Sequence, residues 1–332
     1  MKKSILITGI AGHIGANLAH WICKNHPEYN VVGIDDLTGG YYEFVPNCVE
    51  MYFTDCGTDL DYIFSKHDIQ FVYHAAAIAA ESAATFRRKY YYTNNIVNSA
   101  NIINYCIKYN VDRLVYFSSM AVYGRNPAPF VETQTPAPID PYGVGKYAVE
   151  MDLAAAKETH GLRWTIVRPH SVYGEYQNLW DSARNVLGIW MRQTLNGQPL
   201  SIYGDGTQKR AFTYVDDILE PLWQCVVNKN ILWEVVNIGN DDEMTILEAA
   251  KACIEICGNE YGLKFMPAIH EVRNAYSDHS KARKILGLEC KTSLREGLEK
   301  MWIWAKNQPL RKVRTIENFE IEEGIYEMWK NT

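Results

Sequence analysis

Several things are scarce in this chain, and each scarcity narrows the reading. No two cysteines stand in a Cys-x-x-Cys pair: the eight are scattered, and the closest, Cys253 and Cys257, fall at helical spacing in an apolar segment. That pattern predicts reduced core thiols rather than a disulfide framework or a zinc site, and no metal site is expected. No long run of lysine and arginine occurs, and the net charge is -6, which argues against nucleic acid and anionic membrane as partners. No apolar run is long enough to span a bilayer. The N-terminus passes two lysines and reaches Gly9 after the short run Ser4 to Thr8, too short for the core of a signal peptide. It reads as the first strand of a cytoplasmic protein. What is abundant is ordinary: 47% hydrophobic and 22% charged residues over 332 positions describe a globular chain with enough length for one large or two closely joined domains.

The pattern Asp140-Pro141-Tyr142-Gly143-Val144-Gly145-Lys146 organises the rest. If Pro141 opens a helix, Tyr142 and Lys146 lie one above the other on one face. A lysine cation near a phenol favours phenolate and makes the tyrosine a usable base, so a depressed Tyr142 pKa is expected.

Upstream, the apolar run Ser4–Thr8 enters Gly9-Ile10-Ala11-Gly12-His13-Ile14-Gly15 and then a helical pattern. Strand, glycine loop and helix form the context of a dinucleotide fingerprint, with glycines admitting the turn, the approach of a pyrophosphate, and close helix packing. The spacing is Gly-x-x-Gly-x-x-Gly. His13 and Ile14, at the start of that helix, join the three glycines as candidate cofactor contacts. A second strand, Val31 to Ile34, ends at Asp35, an acid placed to accept from both adenosine ribose hydroxyls and to repel a 2′-phosphate, which favours NAD over NADP. Asp55 and Cys56, after another short strand, are candidates for the adenine edge. The strand Gln70 to His74 empties into Ala75, Ala76 and Ala77, small residues against which a cofactor can lie. Tyr92 to Tyr105 reads as a helix with Asn94 and Asn95 near its start, and Leu114 to Phe117 is a strand ending at Ser118-Ser119. A Ser119 hydroxyl there can hold a substrate oxygen opposite Tyr142.

With Gly9, Gly12, Gly15, Asp35, His74-Ala75-Ala76, Ser119 and Tyr142/Lys146 in this order, the chain resembles the extended short-chain dehydrogenase/reductase family, and within it nucleotide-sugar epimerases of the UDP-glucose 4-epimerase type, from residue 4 to about 300. The resemblance implies a Rossmann-type α/β fold: a doubly wound parallel sheet over residues 1–168 with returning segments near 205–238, and a smaller mixed substrate-binding lobe from 169–204 and 239–332. It also implies a tightly held NAD contacted by Asn95, Tyr142 and Lys146 among others, a nucleotide-sugar substrate, a homodimer, and Ser119, Tyr142 and Lys146 as the catalytic set. Related 4,6-dehydratases follow the hydroxyl residue with Asp-Glu and related decarboxylases carry a glutamate there. This chain has Met120 and Ala121, which cannot exchange a proton, so C4 epimerisation is the simplest reaction these residues support.

In the second half, Ser171 stands where the family usually shows an asparagine that seats the phosphates. Arg210, in Leu200 to Asp217, matches the family arginine that reaches phosphate or ribose, and Arg273 falls in a second such segment; an arginine fork offers paired donors to an anion. Arg184, Asn185 and Arg192 are further candidates for substrate contact, or else exposed helix residues. In relatives a bulky residue at the position of Ala275 walls off the space beside the sugar C2 and a small one leaves room for an acetamido group, so the resemblance implies acceptance of N-acetylated UDP-sugars. Ile246–Cys257 and Leu294–Lys306 read as amphipathic helices, and the aromatic, acidic tail from Ile316 to Trp329 packs across the body or a partner. Three rival readings accompany the epimerase: a keto-sugar reductase, a UDP-hexuronate 4-epimerase, and a non-catalytic dinucleotide sensor.

Overall fold

In the computed structural model, which describes residues 2–183 and 185–329, the alternation of short apolar runs with helical segments produces a seven-stranded sheet. Its strands are β1 (Ser4–Thr8), β2 (Asn30–Asp35), β3 (Val49–Phe53), β4 (Ile69–His74), β5 (Arg113–Phe117), β6 (Trp164–Pro169) and a last strand, Val235–Ile238. Across the sheet the order is Val235–Ile238, β6, β5, β4, β1, β2, β3, and every neighbouring pair is parallel. Such strands are covered on both faces, which explains their nearly unbroken apolar character. Ile5 and Ile7 enter the cluster on one face with Tyr73 and Val115, while Leu6 enters the cluster on the other with Val72 and Leu114. The alternation is the two-residue period of a strand.

The strand order switches between β1 and β4, with β2 and β3 added on one side and β4, β5 and β6 on the other, and at this point the carboxyl ends of the strands open a crevice. Over the crevice sits a lobe built on its own cluster, including Trp190, Met191, Phe212, Ala249 and Leu298. It contains a three-stranded sheet with Lys209–Ala211 between Glu243–Thr245 and Asn274–Ala275, and a parallel pair of Leu200–Tyr203 with Leu263–Met266. The helices Ile246–Cys257 and Leu294–Ala305 each begin with a reciprocal capping box, Thr245/Glu248 and Ser293/Glu296.

The cysteine expectation is corrected. Cys23 and Cys48 form a disulfide, while the remaining six thiols are free, Cys253 and Cys257 being buried 3.7 Å apart in one helix. The pairing joins helix α1 (His13–Asn25) to the segment before β3, a proximity made by the β1–α1–β2 crossover and invisible in the cysteine spacing. The helix expected from Tyr92 also differs: it opens at Arg88 and passes through a π-helical turn at Thr93–Val97 before continuing as Asn98–Lys108. Among the described residues no helix is long and apolar enough to cross a membrane, and no group of three or more metal-binding side chains occurs.

Candidate active site

One cavity of about 550 Å³ runs along the crevice. At one end it is lined by Gly9, Gly12, His13, Ile14, Asp35, Asp55, Cys56, Ala75 and Ala76, and at the other by Ser119, Tyr142, Ser171, Arg210 and Ala275. Five other candidates, Gly15, Asn95, Lys146, Arg192 and Arg273, are not on its wall. Arg184 lies outside the described residues.

The glycine loop follows from local sterics. Gly9 has φ +70°, a left-handed conformation that glycine adopts freely, and a Cβ there would come within 2.7 Å of the Ala76 amide nitrogen. A Cβ on Gly15 would lie 2.2 Å from the Gly9 carbonyl oxygen, so only glycine lets α1 pack so tightly onto the loop. Asp35 closes the same corner: its Oδ2 accepts from the Ala11 amide at 2.9 Å and its Oδ1 from the Leu37 amide at 2.8 Å. Asp55 accepts from both Asn98 (3.0 and 3.1 Å) and the Gly57 amide (2.6 Å). Asn95 works from behind the wall, bonding both the amide and the carbonyl of Ile78 at 2.8 and 2.9 Å and so shaping the alanine loop.

The helix Pro141–His160 carries Tyr142 and Lys146. Asp140 caps it, accepting from the Gly143 amide at 2.9 Å; Pro141 occupies the first turn, where its missing N–H costs nothing; Gly161, at φ +67°, ends it. Tyr142 is buried close to the Ser119 side chain, and the Ser119 hydroxyl accepts from the Ala121 amide at 3.1 Å. Lys146 is buried one turn on. Its Nζ lies 5.8 Å from the centre of the Tyr142 ring and donates to the Phe117 carbonyl at 2.6 Å. Another turn along, Glu150 accepts from Ser118 at 2.5 Å and from the Arg168 fork at 2.9 and 2.5 Å, a buried ion pair that fixes the helix against β5 and β6.

The electrostatics correct one expectation. Burial lowers Lys146 to about 7, with Glu150 opposing. The Tyr142 phenol is held above its ordinary value, first by burial and then by the charge of Glu81, with the nearby Ser119 hydroxyl acting in the opposite sense. The protein's own groups therefore do not depress the phenol, because taking both partners out of water outweighs their attraction.

The second lobe also departs from expectation. Arg210 lines the cavity, but one arm of its fork is taken by Glu271 and the other by the carbonyls of Lys209 (2.7 Å) and Arg273 (3.1 Å). Arg273 turns to Thr207 at 2.6 Å and is largely exposed. Arg192 is buried, holding the carbonyls of Leu179 and Asp181, and Asn185 caps its helix while facing the cavity. Ser171 faces it with φ +44°, and Ala275 is buried beside Val122, Phe130 and Val272, registered opposite Arg210.

Residues 5–239 match the family model described as the NAD dependent epimerase/dehydratase family. The chain belongs to that family. It is 32% identical over 311 residues to a putative UDP-glucose 4-epimerase of Methanocaldococcus jannaschii, covering 91% of this chain and 98% of that one. Among solved structures, the UDP-glucose 4-epimerase of Thermotoga maritima with UDP-glucose superposes with a TM-score of 0.87 at 31% identity, covering 91% of this chain and 98% of that one. The UDP-glucuronic acid 4-epimerase of Bacillus cereus, solved with UDP-glucuronic acid and NAD, gives 0.84 at 30% identity over 91% and 99%.

The residues of this epimerase/dehydratase-family chain fit a dinucleotide. The glycine loop presents backbone where no side chain fits, and the buried His13 Nε2 on the cavity wall has no partner among the described residues. Burial pushes His13 down to about 3, so it stands there as a neutral ring able to hydrogen-bond a ligand. Among the wall groups that escaped sequence reading are Glu81, which opens the short helix Glu81–Ala84 after β4; His270; and Tyr326, from the tail. The tail is strapped on by Glu320, which accepts from the Lys89 and Tyr90 amides at 2.8 Å each, and by Ile316, Phe319, Tyr326 and Trp329 clustered with Phe86 and Tyr91. Its alternating aromatics signalled packing, but only the fold shows against what.

Proposed function

We propose that this protein is an NAD-dependent nucleotide-sugar 4-epimerase that oxidises its substrate transiently at C4. The observation carrying the reading is the presence of Ser119 and Tyr142 side by side on the cavity wall, with Lys146 buried behind Tyr142 and Met120 and Ala121 beside it. A bound NAD supplies a hydride acceptor that can return what it takes. Gly9, Gly12 and Gly15 shape the phosphate approach, and Asp35 faces the adenosine ribose. Tyr142 Oη would take the C4 hydroxyl proton, Ser119 Oγ would hydrogen-bond the same oxygen, and Lys146 would supply positive charge behind the phenol and help hold the nicotinamide ribose. Met120 and Ala121 offer no proton-exchanging group for elimination or decarboxylation. With NAD bound, the cofactor would supply both removal and return of the C4 hydride, and Tyr142 would give the proton back to the C4 oxygen.

Arg210, Ser171 and Arg273 are proposed for the nucleotide diphosphate. Because Glu271 already holds Arg210, phosphate binding exchanges one anion for another on the same guanidinium. Ala275 leaves room beside the sugar C2 and supports acceptance of N-acetylated UDP-sugars alongside UDP-glucose and UDP-galactose. A homodimer is part of the reading. So is a cytoplasmic setting, against which the Cys23–Cys48 bond weighs, since disulfides persist in oxidising compartments.

The deciding test incubates the purified protein with UDP-glucose and UDP-N-acetylglucosamine, following the anomeric protons by NMR with and without added NAD. A 4-epimer appearing without net cofactor consumption supports the epimerase. Stoichiometric oxidation of NADH against a keto-sugar nucleotide would make it a reductase instead.

A further inference from the structure

The loop after β4 places Glu81 in the same cavity as Tyr142, Asp140, Arg210 and Glu271. Glu81 has no hydrogen-bond or ion-pair partner among the described residues, although it is close enough to Tyr142 to raise the phenol. Its neighbours do not supply a counter-charge. Asp140 is committed to the helix cap, and the guanidinium of Arg210, the one arginine or lysine side chain on the described wall, is already paired with Glu271. A solvent-facing carboxylate without a cationic protein partner thus stands at the end of the cavity where the proposed base sits, with water as the group a bound sugar would displace.

A carboxylate so placed is an acceptor only. It forms strong, short hydrogen bonds with hydroxyl or amide N–H groups and is repelled by another carboxylate across a partly dehydrated gap. We infer that Glu81 selects the sugar: it accepts from hydroxyl or acetamido N–H donors of a neutral hexose and excludes a hexose carrying a C6 carboxylate. This rests on the epimerase reading for the placement of the sugar next to Tyr142. The Glu81 side chain faces the solvent of the cavity rather than the core; partial desolvation by the cavity wall, reinforced by Asp140 and opposed by Arg210, raises its carboxyl to about 7, so the discrimination acts above that pH, where the group is ionised. Among the rival readings, a UDP-hexuronate 4-epimerase is the one this residue disfavours.

The test compares UDP-glucose and UDP-glucuronate as substrates, by kcat/KM from anomeric NMR, and as ligands, by calorimetry, for the wild-type holoenzyme, Glu81→Gln and Glu81→Asp. The wild-type protein is expected to prefer UDP-glucose by about 100-fold, the scale of a like-charge contact. Glu81→Gln should shrink that preference at least about tenfold while Glu81→Asp keeps most of it, because charge rather than shape is the discriminator. A wild-type protein that handles both sugars alike, or a preference untouched by Glu81→Gln, overturns the inference. So does formation of a 4-keto-6-deoxy sugar that disappears in Glu81→Gln, which would make Glu81 an acid catalyst. If neither sugar is epimerised but binding shows the charge-dependent preference, the epimerase reading fails and the selection by Glu81 stands; if both ligands then bind equally well, both fail.

Discussion

Lys146 donates to the Phe117 carbonyl at 2.6 Å, anchoring the ammonium to the carboxyl end of β5, one helical turn behind Tyr142. The position of the cation is therefore set by the sheet and not by the phenol. This relationship separates the two halves of the proposed proton-transfer unit: Lys146 stays in place whatever happens at position 142.

Tyr142→Phe should accordingly keep its fold, its cofactor and substrate affinity within a few-fold, while kcat falls by about 100-fold or more, the scale expected for loss of a general base. Single-turnover kinetics beside calorimetry with UDP-glucose check it. Activity near wild type would remove Tyr142 from the role.

The pH profile tests the neighbour. Anionic Glu81 raises the Tyr142 phenol, so replacing it by glutamine removes negative charge and must lower the pKa of the phenol. The ascending limb of kcat against pH, which reports deprotonation of the base, should move to lower pH in Glu81→Gln. A limb that stays put or moves upward contradicts the electrostatic coupling.

Ala275→Tyr places a ring where the buried methyl packs against Phe130 and Val122 on the cavity wall. Turnover of UDP-N-acetylglucosamine should drop at least about tenfold relative to UDP-glucose, as overlap with a pocket wall costs kilocalories. Measured together in one sample, the two rates cancel any general loss of fold; an unchanged ratio rules out Ala275 as the gate.

Gly15→Ala brings a Cβ to 2.2 Å from the Gly9 carbonyl, a backbone contact that cannot rotate away. The loop must shift, at a cost of about 1–3 kcal/mol of stability, and the NAD content of the purified protein should fall with it. Thermal unfolding and release of nucleotide on denaturation give the two readouts.

The disulfide predicts that two of the eight thiols resist alkylation in the unfolded, unreduced chain. Peptide mapping should find those two at Cys23 and Cys48, and reduction should lower the unfolding temperature because a closed loop in the denatured state is opened. Eight alkylated cysteines without reductant would contradict the pairing.

The parallel sheet was legible in the sequence, since its buried strands are apolar runs that break at turns or small residues, several of them with a helical pattern after them. The sequence by itself also determined the Pro141 helix, because Asp140, Pro141 and Gly161 are local start and stop signals, and the requirement for glycine at 9 and 15, because the strand–loop–helix geometry leaves no room for a Cβ. Tertiary structure alone decided the rest. Arg210 and Glu271 are 61 residues apart in the chain, and their pairing exists only because Lys209–Ala211 and Asn274–Ala275 are neighbours in a sheet. Cys23 reaches Cys48 through a crossover, and Glu81 becomes a cavity residue through a loop whose sequence shows only small residues and an acid. Charge environment follows the same division: spacing placed Lys146 near Tyr142, but burial, a property of the assembled fold, sets the direction in which each pKa moves.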